Sequence, residues 1–323
     1  MTALIPEAAR RLQAGELVAF PTETVYGLGA DAANPEAVAR IFALKGRPAD
    51  HPLIVHFADP LAVAQWARDV PPSAMTLAAR FWPGPLTIIV RKSARVPAAV
   101  TGGQDTVGLR CPSHPVALDL LSEFARIGSG AVAAPSANRF GHVSPTTAQH
   151  VREEFGGDLL VLDGGACEVG LESTIVDLSR GSPVLLRPGA ITRRDIEAVL
   201  GVAPAAGDAA APRAPGTLDA HYAPRTALAL VDAAAIAGRA GDAEVAVLAM
   251  RAKPEGTKAA AWIAAPSDPM RYGHDLYASL RALDRSGARV ILVESPPPLA
   301  AWEAVNDRLK RAAAGTAALD DEP

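Results

Sequence analysis

The sequence predicts an α/β protein of two domains, a larger one on a mixed sheet and a small βαβ-type one after it. Three observations carry that expectation. Short apolar runs and helical patterns succeed one another, without strict alternation, through the first 200 residues. Residues 201–216 (GVAPAAGDAAAPRAPG) then hold little but Ala, Pro and Gly. A run without large apolar anchors cannot build a core and reads as a linker. Beyond it, strand and helix patterns resume. The length, 323 residues, suits two domains at roughly 100–200 residues each.

Taken in order, residues 4–14 pattern as a short helix and Leu17–Pro21 as a buried strand. Asn34 caps a helix with Pro35 at its first position and Val38, Ile41, Phe42 and Leu44 on one face. Strands are predicted at 52–57, 86–91, 106–110, 131–134, 159–162, 173–178 and 184–187. Helices are predicted near 60–69, 73–82, 114–126, 145–155 and 192–200. Past the linker come strands at 227–231, 244–250 and 289–294, with helices near 232–240, 268–286 and 299–313. These patterns divide the chain into a domain over 1–200, a linker over 201–224, a second domain over 225–315 and a frayed tail over 316–323.

Charge and cysteine content exclude several classes. The net charge is -4 and is evenly spread, so neither half is a basic module and no strong direct nucleic-acid binding is expected. Cys111 and Cys167 are too few for a disulfide framework or a four-cysteine zinc site and suit a reducing compartment. The N-terminus lacks a secretory pattern, and no apolar run approaches the ~18 residues of a membrane span. A cytoplasmic location with no membrane follows.

Polar clusters at the ends of apolar strands are the informative feature. Phe20–Gly29 (FPTETVYGLG) crowds hydroxyls between a strand and what reads as a glycine loop, a place to hold a small polar substrate. Its Gly27-Leu28-Gly29-Ala30-Asp31-Ala32 matches G-x-G-x-x-A, but the helix start lies at Asn34–Pro35, so these glycines do not place a phosphate on a helix N-terminus. There is no P-loop. Lys45 and Arg47 close a helix and precede His51 and His56; they can cap its C-terminus or bind polyphosphate. Trp82–Thr87 (WPGPLT) reads as a rigid structural turn. Thr106–Pro112, Ala134–Asn138 with Ser144, Gly170–Val176 and Arg187-Pro188-Gly189 add further hydroxyls and two arginines. Several cations without a P-loop suit a nucleotide plus a small acid. No Cys-His pair or G-x-S-x-G suggests covalent catalysis.

The strings PTETVYGLG, KGRPADHPLIVH, WPGPLT, DTVGLRCPSHP, AAPSAN, GLESTIVD and LLRPG, in unbroken order over residues 4–200, closely resemble the YrdC-like domain of threonylcarbamoyl-AMP synthases. Ala214–Pro224 (APGTLDAHYAP) resembles the PG…HYAP segment of the long, two-domain form, although Asp219 stands where relatives often carry a Tyr. Residues 225–315 resemble its C-terminal domain more loosely, best at NDRLKRAA.

The resemblance implies a YrdC-like mixed twisted sheet with helices and a small Rossmann-like βαβ domain. It implies a nucleotidyltransferase that makes L-threonylcarbamoyl-AMP and pyrophosphate from L-threonine, bicarbonate and ATP with Mg2+, and no organic cofactor. A tRNA-modifying threonylcarbamoyl-transferase complex would accept the product. Family matching puts threonine at Thr24, His56, Arg110, Ala134 and Ser173, and ATP at Lys45, Arg47, His51, Thr106, Ser136, Asn138, Ser144 and Arg187. It singles out no catalytic group and no metal ligand. An aromatic, a histidine and prolines in so short a span exceed what a tether needs, so residues 214–224, with His221 and Tyr222, are expected to fold back as a lid. Two other readings stand beside this one. One is the carbamoyl-transfer domain of a hydrogenase-maturation protein, whose zinc-finger cysteines are missing here. The other is an RNA-binding or ribosome-assembly module, which 5% aromatic content and even charge disfavour.

Overall fold

The computed structural model describes residues 4–239 and 241–319. The chain forms two compact units, Met1–Phe140 with Pro145–Thr217, and Gly141–Ser144 with Leu218–Pro323.

The first unit runs α1 (Ile5–Gln13), β1 (Val18–Phe20), β2 (Gly27–Asp31), α2 (Pro35–Lys45), β3 (Ile54–His56), α3 (Val63–Trp66), α4 (Pro72–Phe81), β4 (Leu86–Arg91), α5 (Ala98–Thr101) and β5 (Thr106–Arg110). It continues with α6 (Pro115–Ile127), β6 (Val132–Ala133), α7 (Ala148–Phe155), β7 (Leu160–Val161), β8 (Thr174–Asp177), β9 (Val184–Arg187), α8 (Arg193–Leu200) and β10 (Ala205–Ala206). Its sheet has the order β10-β9-β8-β4-β5-β3-β6-β2-β1-β7. Parallel pairs (β4 with β8, β3 with β5) and antiparallel pairs (β4 with β5, β3 with β6) occur side by side. The expected mixed sheet is therefore present.

Local chemistry sets the element ends. Asn34 Oδ1 accepts from the Glu36 and Ala37 amides, as expected of the N-cap of α2. Thr192 and Asp195 form a reciprocal capping box at α8. Thr147 caps α7, so that helix begins after the Pro145 turn and not at it. Residues 60–69 hold a 3-10 turn at Pro60–Ala62 and the single turn α3 in place of the expected helix.

The expected glycine loop at 27–29 is the strand β2, paired with β1 and β6. Glycine is needed there for close approach: a Cβ on Gly29 would sit 2.7 Å from Val132 Cγ1 and 2.8 Å from Phe20 Cε1. Absent side chains hid the strand's period from the sequence reading.

Residues 201–216, read as a linker, lie against the sheet. β10 pairs with β9, Arg180 bonds Asp208 at 2.9 Å, and Gln104 accepts from the Arg213 amide at 2.7 Å while donating to the Arg213 carbonyl at 3.2 Å. Ala214 is buried among Ile54, Ile89 and Ile175. Hydrogen bonds to backbone, the Arg180–Asp208 ion pair and small apolar contacts at Pro204 and Ala214 hold a segment that composition alone left unanchored.

The second unit runs β11 (Ala227–Val231), α9 (Ala233–Arg239), β12 (Val245–Ala249), β13 (Ala261–Ala264), α10 (Pro269–Asp284), β14 (Val290–Glu294) and α11 (Glu303–Leu319). Its four strands are all parallel in the order β11-β14-β12-β13, the expected βαβ arrangement with one strand, β13, that the sequence reading did not find. The helix α11 extends to Leu319, into the segment expected to be a frayed tail; residues 320–323 of that segment lie outside the described residues. Among the described residues no helix is long and apolar enough to cross a membrane.

Gly29→Ala is expected to destabilise the protein by about 1–3 kcal/mol, because the new methyl would have to displace Phe20 and Val132, both fully buried. Urea unfolding of the two proteins checks this. An unchanged midpoint would show that the β1–β2–β6 corner has slack.

Candidate active site

One face of the first unit's sheet gathers the polar clusters. Side chains two apart along a strand share a face. Ile54 and His56 on β3, Thr87 and Ile89 on β4, Thr106, Gly108 and Arg110 on β5, and Ser173 and Ile175 at β8 alternate in this way. Val55, Ile88, Val90, Val107, Leu109 and Val176, on the other face, belong to the main hydrophobic core. His56 and Arg110 are register partners across the parallel β3–β5 pair. Gly108 keeps the floor open: a Cβ there would meet Thr87 Cγ2 at 3.3 Å and Ile54 Cγ1 at 3.5 Å. A small recess lies over this floor, lined by Ile54, Thr87, Ile89, Thr106 and Gly108 with Arg213 and Pro215 above.

Four of the five residues expected to hold threonine come together near the β3 and β5 ends. Arg110 bonds Glu23 at 2.7 Å with both side chains about 95% buried (5% and 4% exposed). Thr24, next to Glu23, shares a 2.8 Å hydrogen bond with the Thr22 hydroxyl. His56 is buried with its Nδ1 3.1 Å from the Ile54 carbonyl oxygen. A carbonyl can only accept, so Nδ1 carries the proton and Nε2 is left as an acceptor. Burial, then the Arg110 cation, lowers the pKa of His56 to about 3, so the ring is neutral across physiological pH. Ser173, fully buried, shares a 2.7 Å hydrogen bond with Thr87 and accepts from Arg187 at 3.1 Å. Ala134, the fifth, uses its N–H on the Ile54 carbonyl at 2.9 Å.

The residues expected to hold ATP divide into several groups. Lys45, at the end of α2, donates to the Ser136 carbonyl at 2.7 Å and to the Asn138 carbonyl. Burial and the neighbouring Arg47 push its pKa well down. Lys45 thereby fixes the 135–138 loop. Arg47 bonds the Pro52 carbonyl at 3.1 Å and lies 5.7 Å from the Phe140 ring centroid, and the His51 ring meets Phe140 edge-on at 5.3 Å. Thr106 lines the recess beside Pro52. Arg187 lies apart from that cluster, donating to the Ser173 carbonyl at 2.9 and 3.0 Å and to the Pro215 carbonyl at 2.9 Å. It therefore ties the covering segment to the sheet. Ser144 packs in the second unit, with Gly141–Ser144.

His221 and Tyr222, expected as a lid, are core side chains of the second unit. Tyr222 stacks on Tyr277 at 5.8 Å with Arg308 5.2 Å from its ring, and His221 packs edge-on against it. Tyr222 has a φ of 63°, a conformation a bulky residue keeps only when its surroundings impose it.

Residues 10–189 match the Sua5/YciO/YrdC family model, described as "Telomere recombination", and residues 191–314 match the model described as "Threonylcarbamoyl-AMP synthase, C-terminal domain". The threonylcarbamoyl-AMP synthase of Pyrococcus abyssi is 42% identical over 94% of this chain and 92% of its own, and that of Bacillus subtilis 40% identical over 96% and 93%. The chain belongs to the threonylcarbamoyl-AMP synthase family. Members of this family are nucleotidyltransferases. The crystal structure of the P. abyssi protein, Sua5, complexed with L-threonine superposes with a TM-score of 0.89 at 38% identity, covering 98% of this chain and 96% of that one.

Within this synthase fold, three side chains escaped the sequence reading. Glu23 sits inside the PTETVYGLG string but offers an anion where a carboxylate-binding site needs cations. Thr87 belongs to the WPGPLT turn, read as structural; its position in β4, on the Ser173 face, was the available signal. Phe140 lies two residues past Asn138 without a motif of its own. Both cysteines are buried thiols whose pKa is pushed up to about 12 by burial and then by Glu23, so neither is a ready nucleophile.

The lowered pKa of His56 has a stability consequence. Between pH 6.5 and 3 the unfolded chain binds a proton that the folded one refuses. Stability contributed by the neutral ring is complete above pH 6.5 and is lost as pH falls through that window, at a limiting slope of about 1.4 kcal/mol per pH unit. His56→Gln is expected to lose less stability than wild type between pH 6.5 and 4, measured by urea unfolding. Parallel pH profiles would show that the ring titrates freely in the folded protein.

Proposed function

We propose that this protein makes L-threonylcarbamoyl-AMP and pyrophosphate from L-threonine, bicarbonate and ATP in the cytoplasm. The product would serve the threonylcarbamoyladenosine modification of tRNA beside the anticodon, with a threonylcarbamoyl-transferase complex as acceptor. The observation that carries this reading is the single sheet face on which Arg110, a neutral acceptor His56 and the Thr87–Ser173 hydroxyl pair converge. That set suits one small hydroxy acid: a cation for its carboxylate, an acceptor and hydroxyls for its polar groups. The near full-length match to synthases, one of them crystallised with L-threonine, supports the same substrate.

In the proposed reaction the threonine amine, as its free base, attacks the carbon of bicarbonate or CO2. With bicarbonate, a C–N bond forms, water leaves and a carbamate results. A carbamate oxygen then attacks the α-phosphorus of ATP, and the bond to the β-phosphate bridging oxygen breaks to release pyrophosphate. The protein's part is positioning and charge. Arg110 would take the amino-acid carboxylate, with Thr24, His56, Ser173 and the backbone at Ala134 on its other groups. Arg47, His51, Thr106 and Ser136 would receive the nucleotide. Lys45 and Asn138 would act by holding the loop that carries Ser136, and Arg187 by holding Ser173. Mg2+ would enter with ATP. The covering role expected of residues 214–224 would fall first to Ala214 and Pro215, which lie over the recess, and would exclude water from a labile adenylate.

Mass spectrometry of a mixture of protein, ATP with Mg2+, bicarbonate and L-threonine is expected to detect threonylcarbamoyl-AMP, with L-valine giving roughly tenfold less acyl-adenylate or lower still. Equal turnover of valine, or no adenylate from threonine, contradicts the reading. Arg47→Ala is expected to raise the ATP KM roughly tenfold, the worth of one charge-assisted phosphate contact. An unchanged KM for ATP would return Arg47 to a purely structural role beside Phe140.

A further inference from the structure

The buried carboxylate of Glu23 sits where the site needs positive charge, and its bonding pattern gives it a task. Its Oε1 accepts from Arg110 Nη2 at 2.7 Å, and its Oε2 accepts from the Ser113 amide at 3.1 Å. Carboxylates commonly grip a guanidinium with both oxygens. Here the Ser113 amide occupies the second oxygen, so the grip is one-handed. Arg110 Nε reaches the Gly84 carbonyl at 3.4 Å, and among the described residues Nη1 has no hydrogen-bond partner. The guanidinium is thus fixed on one edge and left open on the other.

Glu23 also joins the segments that carry the site. Its side chain links the 22–26 loop to the turn after β5. Its carbonyl accepts from the Val169 amide at 2.7 Å, at the start of the stretch leading to Ser173, while Gly84 N–H donates to the Cys111 carbonyl at 2.8 Å. Three loops that supply Thr24, Arg110 and Ser173 therefore meet at this one residue.

We propose that Glu23 is a positioning residue for the amino-acid substrate, holding Arg110 by one edge so that the other edge receives the substrate carboxylate. This rests on the threonine-binding reading of the face above. Glu23 also balances the Arg110 charge before the substrate arrives, so the empty site does not carry an unpaired buried cation. A glutamine of the same shape cannot do this. Its amide has one acceptor and one donor, whereas the position faces two donors, so one N–H is turned against another.

The test compares wild type, Glu23→Gln and Glu23→Asp, each characterised by calorimetric titration with L-threonine, by titration with ATP, and by KM and kcat for product formation. Both variants are expected to weaken threonine roughly tenfold or more in Kd and KM, with ATP affinity within about twofold of wild type. Aspartate keeps the charge but, one methylene shorter, cannot span both partners, so it separates positioning from charge balance. Threonine affinity unchanged in either folded variant overturns the proposal. So does equal weakening of threonine and ATP together with a lowered unfolding midpoint, the signature of general damage. If Glu23→Gln does not fold, Glu23→Asp decides alone. Wild type that binds threonine but makes no product would count against the synthase reading and leave the binding comparison to decide Glu23. Wild type that binds no threonine overturns both.

Discussion

A guanidinium and a carboxylate, each about 95% buried and 2.7 Å apart, constrain everything around them. Taking two charges out of water costs several kcal/mol per ion, and breaking such a pair by removing one partner costs about 3–5 kcal/mol. The pair persists because each member has further partners: the Ser113 amide for Glu23 and the Gly84 carbonyl for Arg110. Those partners belong to different loops, so the sheet must set β4 beside β5 before the charges can be satisfied. The central run β8-β4-β5-β3-β6 supplies that order and keeps one face polar while the other closes over the core. Strand direction matters as well. The parallel β3–β5 pair puts His56 beside Arg110, and the cation helps keep the ring neutral.

A second constraint is the segment over that face. Arg187 holds the Ser173 carbonyl with two nitrogens and the Pro215 carbonyl with a third, and Arg213 is tied to Gln104 and to the Gly102 carbonyl. These are mostly hydrogen bonds to backbone, each worth roughly 1 kcal/mol net, or somewhat more from a charged donor. Ala214 adds apolar burial against Ile54, Ile89 and Ile175. A cover fastened by several modest bonds can open without unfolding what lies beneath it.

Much of this was legible in the sequence. Long apolar runs such as LTIIVR and strong caps such as Asn34–Pro35 gave their elements directly, because burial and capping act locally. Elements without a local signal were missed for the same physical reason. β2 (Gly27–Asp31) has glycines where a strand normally shows its period, and β13 (Ala261–Ala264) is only four residues long and half-buried at the edge of its sheet. The segment 201–216 reads as a tether because most of its contacts run through backbone atoms, which composition does not report. At the site, the charges expected of Arg47 and Arg110 were visible in the motifs. What the motifs could not supply was direction. Lys45 and Arg187 point at carbonyls, and only the packed structure assigns those bonds. His221 and Tyr222 were marked by their unusual spacing, but spacing did not reveal that Tyr277 and Arg308 pack with Tyr222. Glu23 was hidden by its sign: a search for cations near a carboxylate substrate passes over the anion that orients one of them.

The account turns on Arg110 receiving a carboxylate on the edge that Glu23 leaves open. Calorimetric binding of L-threonine against L-threoninol, identical except that the carboxylate is reduced to an alcohol, tests this directly. L-Threonine is expected to bind, and threoninol to bind roughly a hundredfold more weakly or not at all, since it would leave the buried guanidinium edge without its counter-ion. Equal affinity for the two would contradict the account and place the substrate carboxylate away from Arg110.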